Sequence, residues 1–70
     1  MPRCSGELKN LRFRAKWSQN KLARAAELDR ATVSKAENGD EVAELTVSKL
    51  CSALSTELGT EIGPQQILVG

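Results

Sequence analysis

DRATVSKAENG spans residues 29–39. Asp29 has the side chain of a helix N-cap, and Gly39 has the freedom of a helix stop. Between them runs one short helix, from about Arg30 to Asn38. Val33 and Ala36 recur at helical spacing and face inward. Arg30, Thr32, Lys35 and Asn38 are polar, and little else in the stretch looks like core. This reading decides the fold, because a short helix with one narrow apolar edge must be buried by others.

The flanking sequence supplies those others. Ser18 is a second N-cap, opening a helix from about Gln19 to Ala26 that buries Leu22, Ala23 and Ala26. Lys21 stands where Glu or Gln would complete a capping box. Glu27-Leu28-Asp29 is then the break, with Leu28 tucking back just before the cap. Further upstream, Leu8, Leu11 and Ala15 mark a helix from about Gly6 to Ala15, capped by Ser5. Downstream, Asp40 to Glu44 is an acidic connection. Val47, Leu50, Cys51, Leu54 and Leu58 form one stripe of a longer helix that stops at Gly59. In the tail, Pro64 suits the first position of a fifth helix, although an extended segment fits equally well. The expected fold is all-α: four or five short helices in one domain, 1–70, with a helix-turn-helix over about 18–39.

At 70 residues the chain lies near the lower limit for folding alone. A hydrophobic content of 40% with 27% charged residues suits a globular domain rather than a disordered one. No apolar run approaches the roughly 20 residues of a membrane span. The N-terminal MPRCSGELK lacks a secretory pattern, so the cytoplasm is the expected compartment. Cys4 and Cys51 are far apart and His is absent, so no metal site and no cofactor are expected. Cys4 reads as a surface thiol and Cys51 as a small core residue. The net charge is only +1, but it is unevenly spread. Residues 1–38 carry nine basic against four acidic side chains, while residues 39–70 carry one against five. That asymmetry suggests one face for a polyanion and another for a different partner.

LKNLR at 8–12, SQNKLA at 18–23, LDRATVSKAENG at 28–39 and LCSAL at 50–54 together resemble the Cro/CI-type helix-turn-helix family, also called the Xre family. The resemblance covers roughly Leu8 to Leu54. It implies a compact lambda-repressor-like DNA-binding domain, and for its members usually a transcriptional regulator that binds operator DNA as a dimer. It implies roles for single residues as well. Gln19 would sit against the DNA backbone, Arg30, Ala31 and Lys35 would face base edges, Thr32 would lie near phosphate, and Asn38 near the sugar-phosphate chain. Arg12 and Glu37 would form an internal salt bridge. Ser18 and Lys21, at the start of the second helix, complete the candidate DNA-binding set.

Side-chain chemistry agrees with much of this. The planar fork of Arg30 suits guanine O6 and N7, and the methyl of Ala31 suits the methyl of thymine. Gln19 at a helix start can donate to a phosphate that the helix end also attracts. The same residues fit plainer roles: Arg30 and Lys35 a solvated helix face, Gln19 its own helix start. Trp17 reads as packing over the corner between the first two helices.

The sequence also departs from the family pattern. Asp40, Glu41 and Glu44 replace basic loop residues and repel phosphate, which lowers non-specific affinity. Lys16 and Glu27 stand where the family has glycine. At Glu27 this means either a strained positive φ or another turn geometry. Ile62, Ile67, Leu68 and Val69 are too many apolar side chains to leave in water, so they either fold back on the fourth helix or form a subunit interface. A homodimer is the favoured reading, since two-fold symmetry suits a palindromic operator.

Two functions follow: a sequence-specific DNA-binding repressor or regulator, or an antitoxin-type module whose acidic C-terminal half binds a partner protein such as a toxin. An enzyme is not expected. His is absent, no cysteine has a partner for a dyad, and no glycine-rich phosphate loop is present.

Overall fold

The computed structural model describes residues 3–69; Met1, Pro2 and Gly70, the ends of the expected 1–70 domain and 59–70 tail, lie outside the described residues. Five helices follow in order: α1 Glu7–Arg14, α2 Gln19–Ala25, α3 Arg30–Glu37, α4 Glu44–Leu58 and α5 Pro64–Ile67. Among the described residues there is no strand, only two isolated antiparallel bridges, Arg3 with Glu41 and Cys4 with Leu68. The all-α expectation holds, with five helices. No helix is long and apolar enough to cross a membrane.

The first three helices end in the same way. After α1 the amide of Lys16 donates to the Phe13 carbonyl and that of Trp17 to the Arg12 carbonyl. After α2, Glu27 donates to Arg24 and Leu28 to Ala23. After α3, Gly39 donates to Ala36 and Asp40 to Lys35. Each is the paired bond of a Schellman stop, which places one residue in the left-handed region. Those residues are Lys16 at φ 60°, Glu27 at φ 58° and Gly39 at φ 84°. Glycine occupies only the third. Between the two geometries left open for Glu27, the structure has the positive φ, and Lys16 has it too. Trp17 and Leu28 follow the left-handed residues and pack against the core, the apolar contact such stops usually carry.

Capping is uneven. Ser18 accepts from the Lys21 amide at 3.1 Å, as expected. The N-cap of α1 is Gly6 rather than the expected Ser5, and it makes no side-chain capping bond; Ser5, one residue outside, accepts from the Glu7 amide at 3.3 Å. Asp29 holds the extended backbone of an N-cap, but its carboxylate makes no capping bond. It acts on α3 only through its charge at the positive helix end.

The core gathers Leu8, Leu22, Val33, Leu50, Leu54 and Ile67, all fully buried. α2 and α3 make the most extensive pairing of helices. The tail folds back rather than standing free. Ser55 on α4 accepts from the Ile62 amide at 2.9 Å and donates to the Ile62 carbonyl at 3.4 Å, which turns the chain after α4. Gln66 then accepts from the Gly63 amide and caps α5. Both tail readings are realised in succession, one helical turn followed by an extended Leu68. Ile62 and Ile67 are buried within the monomer, Leu68 is partly buried, and Val69 remains exposed.

Cys4 corrects the sequence reading: it is 2% exposed, a core residue rather than a surface thiol. The N-terminal segment is pinned on both sides. Ser5 donates to the Ile67 carbonyl, Val69 donates to the Arg3 carbonyl, and Arg3 bridges Glu41. Cys4 is thereby drawn under the tail. Burial pushes its thiol above the ordinary range, and Cys51 adds to the shift. Both cysteines are free.

Candidate nucleic-acid interface

α3 projects its polar side away from the core. Arg30, Ala31, Lys35 and Asn38 are exposed, Thr32 and Ser34 are half-buried, and Val33 and Ala36 are buried. Arg30 and Ser34 are four residues apart and Ala31 and Ser34 three, so all three share one face. They line an open depression of about 390 Å³. Ser34 joins the candidate residues only in the structure. Its spacing from Arg30 was the available signal.

The start of α2 lies against the far end of α3. Gln19 donates through Nε2 to Glu37 Oε1 at 3.1 Å. Glu37 is also the partner of Arg12, which reaches it through both Nε and Nη2. The Arg12 and Glu37 side chains are 8% and 3% exposed, so the pair is buried. Arg12 spends its remaining reach on the Trp17 carbonyl, at 2.9 Å. One guanidinium thus ties α1 to α3 and to the corner before α2. No buried side-chain nitrogen or oxygen among the described residues lacks a partner. Such a network is costly to break by half, since the surviving charge would be stranded in a low-dielectric interior.

Phe13 covers this network from outside. Its ring lies 4.6 Å from the Arg12 guanidinium carbon and 5.9 Å from Lys9 Nζ. Phe13 as a residue is 58% exposed, high for an aromatic in so small a domain. Cation–π attraction to two charges accounts for its position. Neither the Phe13 stack nor the Gln19 bond to Glu37 was legible in the sequence, because both depend on how α1, α2 and α3 cross.

The structure therefore places the candidate residues in two groups. Arg30, Ala31, Thr32 and Lys35 lie along α3 with Ser34. Ser18, Gln19 and Lys21 form the α2 start, which Gln19 and Glu37 link to the α3 end beside Asn38. Gln19 keeps its carbonyl oxygen and a second amide hydrogen for an outside partner. Lys21, Arg30 and Lys35 have no ion pair among the described residues, and two helix N-termini add positive potential. The acidic loop is partly offset, since Arg3 pairs with Glu41 at 3.4 Å on the surface. Asp40 and Glu44 have no such partner among the described residues. Trp17 is partly buried, and with Ala25, Ala26 and Ala53 it lines a groove between α2 and α4.

A surface of this kind suits duplex DNA: cations without acidic partners, short side chains on the outward face of a helix, and a buried hydrogen-bonded support beneath. No group of His, Cys, Asp and Glu among the described residues could hold a metal ion. No curated protein matches the chain. Residues 5–62 match the family model described as a helix-turn-helix domain, a span running from just before α1 to the point where the tail turns back, and the chain belongs to that family.

Proposed function

We propose that this protein is a Cro/CI-type transcriptional regulator of the Xre family that binds an operator through α3, as a repressor and as a homodimer. The observation that carries the proposal is the outward row of exposed Arg30, Ala31 and Lys35 with half-buried Ser34, on a helix locked from behind by Arg12, Glu37 and Gln19. In this reading α3 enters the major groove, and Arg30 holds guanine O6 and N7. Ala31 meets a pyrimidine methyl, and Lys35 reaches a base or phosphate one turn on. Thr32, Ser18, Gln19, Lys21 and Asn38 hold the backbone. The protein is a binding module rather than an enzyme, needs no cofactor, and works in the cytoplasm, where the operator lies.

Dimerisation rests on operator symmetry rather than on the tail as a whole, since Ile62 and Ile67 are already spent on the monomer core. Apart from Phe13, which stacks on Arg12, the large exposed apolar side chains among the described residues are Leu45 and Val69, both about two-thirds exposed. They adjoin a groove lined by Glu44, Val47, Ser48, Pro64 and Leu68. The acidic balance of residues 39–70 supports the second reading, an antitoxin-type module that presents negative charge to a basic partner protein such as a toxin; of its carboxylates, Glu44 lines this groove.

In-vitro selection from random duplex DNA, run with the wild type and with Arg30→Ala, tests the first reading. The expected outcome is a two-fold symmetric site containing a G·C pair that Arg30→Ala no longer demands. Failure to enrich any site at low salt, where phosphate attraction is strongest, would remove it and direct attention to partner proteins.

A further inference from the structure

We infer that α3 reads the C5 methyl group of a pyrimidine beside a guanine, not the identity of that pyrimidine, so that 5-methylcytosine serves in the site as well as thymine does. The inference rests on the DNA-binding reading above.

The depression at the start of α3 has three lining residues, Arg30, Ala31 and Ser34. Their chemistries differ in what they can discriminate. Arg30 is an obligate donor with a planar fork, and it selects the paired acceptors of guanine. Ala31 is exposed and offers a methyl alone, with nothing to donate or accept. In the major groove, thymine presents an O4 acceptor and cytosine an N4 donor at the same place. Telling those two apart requires a side chain committed to one role. Ser34 is the remaining lining residue, and its hydroxyl both donates and accepts. No hydrogen bond holds that hydroxyl in one orientation among the described residues, so it can turn to satisfy either O4 or N4.

Lys35, the other donor nearby, is not part of this lining and is assigned here to a phosphate, so what remains to distinguish pyrimidines at this position is the methyl. Thymine and 5-methylcytosine carry it on the same ring carbon, while cytosine and deoxyuridine lack it. The methyl would lie between the Ala31 side chain and the aliphatic stem of Arg30, whose guanidinium holds the adjoining guanine. A TpG step and a methylated CpG step would be read alike, and unmethylated CpG would be refused. The protein would then respond to cytosine C5 methylation of its own site.

The test uses the full chain and one duplex enriched by selection, with thymine, deoxyuridine, cytosine or 5-methylcytosine in turn at the position next to the Arg30-dependent guanine. Affinity is measured by fluorescence anisotropy. Thymine and 5-methylcytosine are expected to agree within about two-fold. Deoxyuridine and cytosine are expected to bind about four-fold more weakly per half-site, the value of one buried methyl. Ala31→Gly, checked for folding by thermal melting, should narrow the gap between thymine and deoxyuridine to below about two-fold. Ser34→Ala is a second variant that keeps the helix, and it should leave the methyl preference in place. Tight binding of the parent duplex with no sensitivity to the methyl, or 5-methylcytosine behaving as cytosine does, overturns this inference and leaves the DNA-binding reading standing. An enriched site without a pyrimidine next to that guanine overturns it equally. If no site is enriched at all, the DNA-binding reading fails and takes this inference with it.

Discussion

Two left-handed residues, Lys16 and Glu27, hold the corners on either side of α2. A side chain in that conformation costs roughly 1–2 kcal/mol, which glycine avoids, though glycine gives back part of the gain through its freer unfolded chain. Lys16→Gly and Glu27→Gly should each stabilise the fold by about 0.5–1 kcal/mol, raising the melting temperature by several degrees in a domain of this size. Calorimetry checks this; a fall in melting temperature would mean that Trp17 or Leu28 needs the longer residue before it. The opposite is expected at the buried pair. Glu37→Gln leaves Arg12 charged and half-partnered, and should cost about 3–5 kcal/mol. That is a large share of the few kcal/mol to 10 kcal/mol that a domain of 70 residues holds. Urea unfolding of the variant should show a much lower midpoint with the same slope. An unchanged midpoint would place Glu37 outside the structural network. The pairing of Arg12 with Glu37 entered through family resemblance. The bonds from Arg12 to Trp17 and from Gln19 to Glu37 could not, because they join groups whose proximity the crossing of three helices creates.

At the scale of elements, the helices were legible and the corners were not. Capping serine at Ser18, glycine at Gly39 and Gly59, and the stripe from Val47 to Leu58 all announce themselves by residue type. A Schellman stop built on lysine or glutamate does not, since nothing local marks either as left-handed. The fate of Asp29 was equally hidden, because its residue type suits a cap whether or not the carboxylate turns toward the helix. The α3–α4 connection matters most for affinity. Asp40 and Glu44 lie just beyond the candidate recognition helix with no ion pair among the described residues. Asp40→Lys and Glu44→Lys should both strengthen DNA binding. Where the new lysine meets a phosphate, the slope of log affinity against log salt should steepen by about 1. Anisotropy titrations at several salt concentrations check it. No change in affinity or slope would place this loop away from the duplex.

Over the whole molecule, the N-terminal segment, the tail and the α3–α4 loop meet at one place. Arg3 bridges Glu41, and Cys4 bridges Leu68. The sequence left Ile62 and Ile67 open between core and interface, since an apolar side chain reads alike in either. The monomer claims them. Ile67→Ala should therefore destabilise the fold by about 2–5 kcal/mol at any protein concentration. Leu45→Glu and Val69→Glu, on exposed positions, should leave the melting temperature within a few degrees while shifting sedimentation from dimer to monomer. Sedimentation unchanged from wild type in both variants would move the subunit contact elsewhere.

The central claim is that α3 and the start of α2 meet DNA while the α4 and tail surface does not. An ¹⁵N–¹H correlation titration of the full chain with a selected duplex tests it directly. The account predicts the largest shifts at Ser18 to Lys21 and at Arg30 to Asn38, with the outer face of α4 and the segment after Gly63 nearly unmoved. Shifts concentrated on Leu45, Ser48 and the tail, with α3 silent, would contradict it and make that surface the one through which this protein works.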